Sequence, residues 1–239
     1  MSIRTSLKKV LPPISITEQE ALDAGDIWLE SSIYRGLPDM EALRAVPQAK
    51  LSADEQAFLD GPVQKLLEMI DDFELGNSKH IPQHVLDFLG ENRFFSMIIP
   101  KKFGGLEFSP YANSTIVATI AAKSGALAVT VMVPNSLGPG ELLMHYGTKE
   151  QQDYWLPRLS VGKDIPCFAL TSPEAGSDAG GIPDAAIVTK GQWEGKEVIG
   201  LKVSWDKRYI TLAPIATVLG LAFKVFDPDQ LLGDKLELG

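Results

Sequence analysis

The sequence predicts an α+β protein in which a helical part comes first and a β-rich part follows. Up to about residue 164, capping boxes, stop glycines and apolar residues at helical spacing indicate helices. From Ile165 onward, short β-branched runs separated by Gly, Pro, Asp or Lys are typical of antiparallel strands. We therefore predict a helical domain over residues 1–164 and a β domain, an antiparallel sheet or barrel, over residues 165–239.

Composition narrows the classes of function. The chain has 239 residues, of which 45% are hydrophobic, and this is enough for a packed core. The net charge of -9 argues against nucleic-acid binding, which needs clustered Lys and Arg. Cys167 stands alone, so no internal disulfide can form, and we expect a buried thiol rather than a nucleophile. These features and the lack of a signal-peptide pattern favour the cytoplasm.

Capping boxes predict where several helices begin. Thr17, Ser52 and Thr148 each stand three residues before a Glu or Gln. The helix after Ser52 is expected to continue to Gly76 and to bury one face. The apolar residues expected on that face are Phe58, Val63, Leu66, Leu67, Ile70 and Phe73.

Proline and glycine separate the later helices. Pro82 and Pro110 suit first turns of helices. Small and apolar residues over 124–144 predict two short helices that stop at Gly147. The helix that begins after Thr148 is expected to end or bend at Pro157.

The β-rich part is predicted from four segments. They are residues 165–170, 185–188, 197–203 and 209–225. The last segment is nearly uncharged and long enough to suggest a membrane span. Pro214, Gly220 and Lys224 interrupt it and β-branched residues are frequent, which favours buried strands.

The main functional signal is residues 168–178, where an apolar strand runs into a loop rich in Pro, Gly and hydroxyls. Pro173 fixes one backbone angle and Gly176 permits a positive φ, so the loop can be stiff. Its N–H groups and the hydroxyls of Thr171 and Ser177 could then face a ligand. A plain surface turn is equally consistent with these residues alone.

Other site chemistries have weaker support. His80 and His84 have the spacing of two zinc ligands, but Pro82 lies between them and no Glu follows the first His. Ser160 and Lys163 match a Ser-x-x-Lys pattern without its partner motifs. We therefore expect no metal site and no hydrolase site.

Three separated stretches resemble the acyl-coenzyme A (acyl-CoA) dehydrogenases, in that family's order. They are residues 81–106, residues 145–157 and residues 169–178, which read Ala-Leu-Thr through Gly-Ser-Asp. Residues 134–141 and 207–214 are similar to the large bacterial long-chain enzymes of fatty-acid β-oxidation. The resemblance covers most of residues 80–215, and it implies the N-terminal half of such an enzyme.

The resemblance implies a site for FAD. Thr171 would hydrogen-bond the isoalloxazine ring, and Ser177 would also lie beside the pantetheine of bound substrate. Tyr209 would pack on the ring face, with Thr211 near the reactive N5 atom. The expected cofactor-binding residues are Phe168, Leu170, Thr171, Gly176, Ser177, Tyr209, Ile210 and Thr211, and Ser177 is also expected to bind substrate. Such side chains suit a planar apolar ring.

Two residues depart from the family pattern. The family usually has Glu where this chain has Ser172, and Trp where it has Tyr209. The first departure removes a carboxylate whose role we interpret as structural. The second keeps an aromatic face, so both are compatible with FAD.

The implied reaction is α,β-dehydrogenation of a fatty acyl-CoA to trans-2-enoyl-CoA. An electron-transfer flavoprotein is the expected electron acceptor, and the full-length enzyme is expected to be a homo-oligomer that can associate with the inner membrane. The family's catalytic base is a Glu of a C-terminal helical domain, expected beyond residue 239, so no catalytic residue is named here. We expect a fragment with an incomplete β domain that is inactive by itself.

Two other functions remain open at this point. The chain could be a non-catalytic fragment that binds flavin or acyl-CoA. It could also derive from an acyl-CoA oxidase of the same superfamily, in which oxygen reoxidises the flavin.

Overall fold

The computed structural model describes residue 19, residues 30–136 and residues 138–233. The chain divides into two compact units, which are described separately. The helical unit comprises Ala49–Ala169 and Tyr209–Ala222. The described part of the sheet unit comprises residues 30–48, Leu170–Arg208 and residues 223–233. The domain boundary after residue 164 stays a prediction, and the predicted capping box at Thr17 lies outside the described residues.

The predicted α+β order, helices first and strands second, is confirmed. The helices are α1 (Glu30–Tyr34), α2 (Met40–Ala45), α3 (Ala53–Phe58), α4 (Gln64–Glu68), α5 (Asp72–Ser78), α6 (Gln83–Glu91), α7 (Pro110–Ala121), α8 (Gly125–Met132), α9 (Pro139–Tyr146) and α10 (Lys149–Ser160). The strands are β1 (Pro166–Ala169), β2 (Ala185–Trp193), β3 (Lys196–Ser204), β4 (Val218–Leu221) and β5 (Lys224–Phe226).

Local signals place most helix starts correctly. Ser52 and Thr148 each form both hydrogen bonds of a capping box, at the starts of α3 and α10. Pro110 occupies the first turn of α7, behind the capping hydroxyl of Ser109. Pro157 lies inside α10, which continues to Ser160 rather than ending there.

The single long helix predicted after Ser52 is wrong. Leu59–Val63 forms a π-helical turn around Pro62, which has no N–H to donate. The carboxylate of Asp71 then accepts hydrogen bonds from two backbone N–H groups and starts a new helix, α5. This helix ends at Lys79 in the left-handed conformation rather than at Gly76.

The core of the helical unit is built largely from the expected apolar faces. Its fully buried members include Val63, Leu66, Leu89, Phe94, Phe95, Ile116, Ile120 and Leu127. Phe73, which was expected in this core, is 79% exposed. Because α5 starts afresh at Asp71, the helical spacing counted from Phe58 no longer applies at Phe73.

Among the strand pairs that the structure describes, the predicted antiparallel pairing holds for one of three. In the sheet unit, β2 and β3 pair antiparallel over their full lengths, and β5 joins the other edge of β2 in parallel. In the helical unit, β1 and β4 pair in parallel. Parallel neighbours need long connections, and residues 170–217 separate β1 from β4.

The segment that could have suggested a membrane span is not a helix. Residues 209–217 form a turn region, followed by β4 and β5. Within the described ranges, no helix is long and apolar enough to cross a membrane.

Glu55 fastens α3 to the start of α7. Its carboxylate accepts hydrogen bonds from the backbone N–H groups of Ser109 and Ser52, both at 2.7 Å. The N–H of Ser109 is the largest cause that lowers the Glu55 pKa, to about 2 from its usual 4.5. The charged form of this buried carboxylate therefore stabilises the fold.

Replacing Glu55 with Gln should lower the free energy of unfolding by about 2 kcal/mol. The reason is that the neutral amide has one acceptor oxygen, whereas the charged carboxylate accepts one backbone hydrogen bond on each of its two oxygens. Urea denaturation at pH 7 measures this difference. Because the folded-state pKa lies below the unfolded value, the contribution is complete above about pH 4.5 and disappears as pH falls toward 2. The difference between wild type and variant should shrink in that window.

The neighbouring Asp54 provides the matched control. It is exposed and pairs with Lys101 at 3.5 Å, so Asp54→Asn should change the free energy of unfolding by less than about 1 kcal/mol. Equal effects of the two substitutions would contradict this account of Glu55.

Candidate functional site

The loop at residues 170–178 is held by the ammonium group of Lys207, within the sheet unit. Lys207 Nζ donates hydrogen bonds to the carbonyl oxygen of Leu170 at 2.8 Å and to Ser172 Oγ at 3.1 Å. It also lies 2.5 Å from Asp184 Oδ2. The side chain of Lys207 is 1% exposed and that of Asp184 is 2% exposed. The loop is therefore anchored on a buried ion pair.

Asp184 completes a closed polar network. Its Oδ2 also accepts a short hydrogen bond from the hydroxyl of Ser172, and its Oδ1 accepts from the backbone N–H of Asp206 at 2.9 Å. Burial alone would raise the Asp184 pKa. The hydrogen bonds from Lys207, Ser172 and the Asp206 N–H outweigh it and lower the pKa to about 2. The carboxylate is therefore ionised at neutral pH.

Arg208 holds the next part of the same loop. Its backbone N–H donates to the Thr171 carbonyl at 3.1 Å, and its guanidinium donates to the Pro173 carbonyl at 2.8 Å. A turn between Ser172 and Ala175, closed by backbone hydrogen bonds in both directions, stiffens the segment further. Two consecutive residues, 207 and 208, thus bind four consecutive loop residues.

The loop also carries hydrogen-bond donors that are not used in holding it. In the part of the chain that the structure describes, the Thr171 hydroxyl and the N–H groups of Gly176 and Ser177 have no hydrogen-bond partner. Thr171 is half-buried, whereas Gly176 and Ser177 are exposed. The loop can therefore offer donors to a ligand while its own backbone is fixed from the other side.

Two details of the loop differ from expectation. Gly176 is not in the left-handed region, and a Cβ at this position would meet no neighbouring atom. The positive φ that the sequence suggested for Gly176 is therefore not used. Position 172 still has a carboxylate beside it, because the Ser172 hydroxyl donates a hydrogen bond to Asp184. Sequence reasoning missed Asp184 and Lys207 as loop partners, since they lie 12 and 35 residues from Ser172.

The remaining predicted cofactor residues belong to the helical unit. Phe168 is half-buried on β1, and Ile210 is half-buried in the turn that follows Arg208. Tyr209 is 82% exposed with a φ of 57°, an uncommon conformation for a bulky residue. Thr211 is exposed. A prominent aromatic ring in a strained backbone conformation is typical of functional positions.

The helical unit also contains an apolar cavity of about 570 Å³. Residues of α5 and α8 and of the segment 212–215 line it, among them Leu75, Val129 and Ile215. Thr130 is a polar member, and its hydroxyl donates to the Ala126 carbonyl at 2.8 Å. The volume and apolar lining are typical of small-molecule sites.

The candidate nucleophile and metal ligands give no competing site. Cys167 is 2% exposed on β1, and burial raises the pKa of its thiol, which confirms the expected buried cysteine. Among the described residues, no three His, Cys, Asp or Glu side chains are grouped closely enough to hold a metal ion.

Part of the chain is similar to a known protein family. Residues 50–163 match the family model described as the acyl-CoA dehydrogenase N-terminal domain. The match covers a little less than half of the chain, and over these residues the chain is similar to the N-terminal domain of the acyl-CoA dehydrogenases. The resemblance noted from the sequence is thereby confirmed, while the narrower likeness to the large bacterial long-chain enzymes stays a prediction.

Individual relatives of this chain carry different names. The caffeyl-CoA reductase–Etf complex subunit of Acetobacterium woodii is 36% identical over 62% of this chain and 36% of its own length. The mitochondrial very long-chain specific acyl-CoA dehydrogenase of Rattus norvegicus is 30% identical over 54% of this chain and 20% of its own length. The chain thus spans little more than a third of these curated relatives, or less.

A solved structure supports the same fold. The FAD complex of PigA matches with a TM-score of 0.63 at 22% identity, over 75% of this chain and 46% of that one. At this level of identity, the match shows the fold alone.

Removing the charge of Asp184 should destabilise the sheet unit strongly. Asp184→Asn leaves the Lys207 ammonium buried without a counter-charge, so we expect a loss of about 3–5 kcal/mol in the free energy of unfolding. Urea denaturation followed by circular dichroism measures it.

The control is Glu197→Gln in the same unit. Glu197 lies 3.8 Å from Lys190, and both side chains are exposed, so its removal should cost less than about 1 kcal/mol. A loss for Asp184→Asn no larger than this control would contradict the importance of the buried pair.

Proposed function

We propose that the chain supplies the flavin-binding and substrate-binding parts of an FAD-dependent acyl-CoA dehydrogenase. The enzyme would convert a fatty acyl-CoA to trans-2-enoyl-CoA, the first step of fatty-acid β-oxidation. The observation that carries the proposal is the loop at residues 170–178. It combines a backbone held by Lys207 and Arg208 with donors that have no partner among the described residues.

The residues of this loop fit FAD. The Thr171 hydroxyl and the N–H groups of Gly176 and Ser177, which have no partner within the described ranges, suit the polar edge of an isoalloxazine ring, and Leu170 offers an apolar contact. Tyr209 and Thr211 are proposed as further contacts, the first with the ring face. Bound FAD would supply the hydride acceptor that amino-acid side chains lack.

The apolar cavity of the helical unit is proposed as the site of the acyl tail. Its lining by Leu75, Val129 and Ile215 suits a hydrocarbon chain, which gains free energy when it leaves water. Ser177 is proposed beside the pantetheine. The name of the rat relative supports a long-chain substrate for this chain.

The proposed reaction removes a proton from the α-carbon and a hydride from the β-carbon. A carboxylate base takes the proton, and we assign this role to no described residue; Glu174 lies in the loop, but loop position does not establish catalytic geometry. The relative named as part of an Etf complex supports an electron-transfer flavoprotein as the partner that removes the electrons.

A second candidate is the reverse reaction, the reduction of an α,β-unsaturated acyl-CoA. It is favoured by the name of the A. woodii relative, a caffeyl-CoA reductase. Both directions use the same arrangement of thioester and flavin, so the described residues fit either.

FAD titration tests the proposed cofactor. The purified chain should quench flavin fluorescence with one FAD per chain, and Thr171→Val should weaken FAD binding about tenfold, because a ring acceptor would lose its donor. Thr189→Val, which removes a hydroxyl from β2 of the same unit, should leave the affinity unchanged. A chain that is folded but does not bind FAD would contradict the proposal.

Spectroscopy of the loaded chain tests the substrate. Palmitoyl-CoA should perturb the visible flavin spectrum, and Val129→Trp, which fills the cavity, should weaken palmitoyl-CoA binding at least about tenfold while sparing butyryl-CoA. Equal losses for both thioesters would contradict the assignment of the cavity. In the loaded protein, bleaching of the flavin by acyl-CoA would support dehydrogenation, whereas reoxidation of the reduced flavin by enoyl-CoA would support the reductase.

A further inference from the structure

We propose that Lys207 is the positioning residue of the flavin loop and that Asp184 and Ser172 fix its ammonium group for this task. The inference rests on the proposed function, because it concerns the affinity of the loop for FAD. It assigns a purpose to a buried charged pair that belongs to neither the cofactor contacts nor the chemistry of the reaction.

The geometry of the ammonium group supports this role. A lysine ammonium has three donors, and Lys207 has an acceptor for each: the Leu170 carbonyl, Ser172 Oγ and Asp184 Oδ2. Two of the three acceptors flank Thr171. The same ammonium therefore fixes the chain immediately before and immediately after the residue whose hydroxyl is proposed to meet the flavin ring.

Ser172 converts these bonds into a closed triangle. Its hydroxyl accepts from Lys207 Nζ and donates to Asp184 Oδ2, while Lys207 also donates to Asp184. A closed network leaves each member little rotational freedom, because moving one group breaks two bonds. The backbone at Thr171 is thus held in one arrangement before a ligand arrives.

Stability alone is a weak reason for such a pair. Replacing a buried ion pair with apolar residues of similar size is often neutral or stabilising, whereas removing one partner is destabilising. Apolar side chains can fill the same space, but they cannot bind the Leu170 carbonyl. The ion pair and its apolar replacement therefore bury similar side-chain volume, but only the ion pair holds the loop in place.

The decisive variant is the apolar pair Lys207→Met with Asp184→Leu. Its thermal midpoint should stay near that of wild type, while FAD binding, measured by fluorescence titration, should weaken about tenfold or more, as is usual when a supporting residue is lost. In the cofactor-free chain, the N–H of Arg208, which donates to Thr171, should exchange with deuterium faster than in wild type.

Two further variants separate positioning from folding. Val188→Ala removes two methyl groups from a buried residue of β2 that takes no part in the Lys207 hydrogen bonds, so it should lower the thermal midpoint and leave FAD affinity unchanged. Ser172→Glu with Asp184→Ser moves the carboxylate onto the loop while keeping a counter-charge for Lys207. This exchange should keep FAD affinity within about threefold of wild type, because the ammonium is again held.

The outcomes distinguish the inference from the proposed function. Failure of the wild-type chain to bind FAD would overturn both. Wild-type FAD affinity in the folded apolar pair would overturn the inference alone. If the apolar pair does not fold, the test is Ser172→Ala, which keeps the ion pair and removes the hydroxyl that bonds both Lys207 and Asp184. Unchanged FAD affinity together with an unchanged exchange rate of the Arg208 N–H would then overturn the inference.

Discussion

The buried pair of Lys207 and Asp184 is the interaction on which the candidate site depends. Removing two charges from water is costly, and attraction between them offsets that cost only when their remaining donors and acceptors are satisfied. Here the ammonium has three acceptors and the carboxylate accepts from two side chains and one backbone N–H. The polar network is therefore closed, and the loop backbone is one of its members.

This arrangement gives the loop two sides with different tasks. The carbonyl oxygens of Leu170, Thr171 and Pro173 and the hydroxyl of Ser172 accept hydrogen bonds from residues 207 and 208. The Thr171 hydroxyl and the N–H groups of Gly176 and Ser177 have no partner among the described residues. A ligand that needs donors then binds without first ordering the loop, which saves conformational entropy at the moment of binding.

The sequence predicts the features that depend on neighbouring residues. The capping boxes at Ser52 and Thr148 are readable because donor and acceptor lie three residues apart. The break at Asp71 is harder to read, since its capping role competes with an uninterrupted apolar periodicity. Runs of β-branched residues show where strands form. The parallel pairing of β1 with β4 depends on the path of the long segment between them, and local composition does not determine that path.

The same limit explains what could be predicted of the site. Thr171 and Ser177 can be proposed from their motif, whereas the residues that hold the loop are distant in sequence and become neighbours only through folding.

Ser172 shows how a departure from a motif can be misread. Taken alone, Ser in place of Glu removes a negative charge from the loop, which suggests that a structural carboxylate is lost. In the fold, the Ser172 hydroxyl contacts both Lys207 and Asp184, so a carboxylate still reaches this point from another segment. What the loop requires is a counter-charge for the buried ammonium, and two chain positions are close enough to provide it. In this chain the counter-charge comes from Asp184, so Ser172 in place of Glu does not argue against the proposed flavin site.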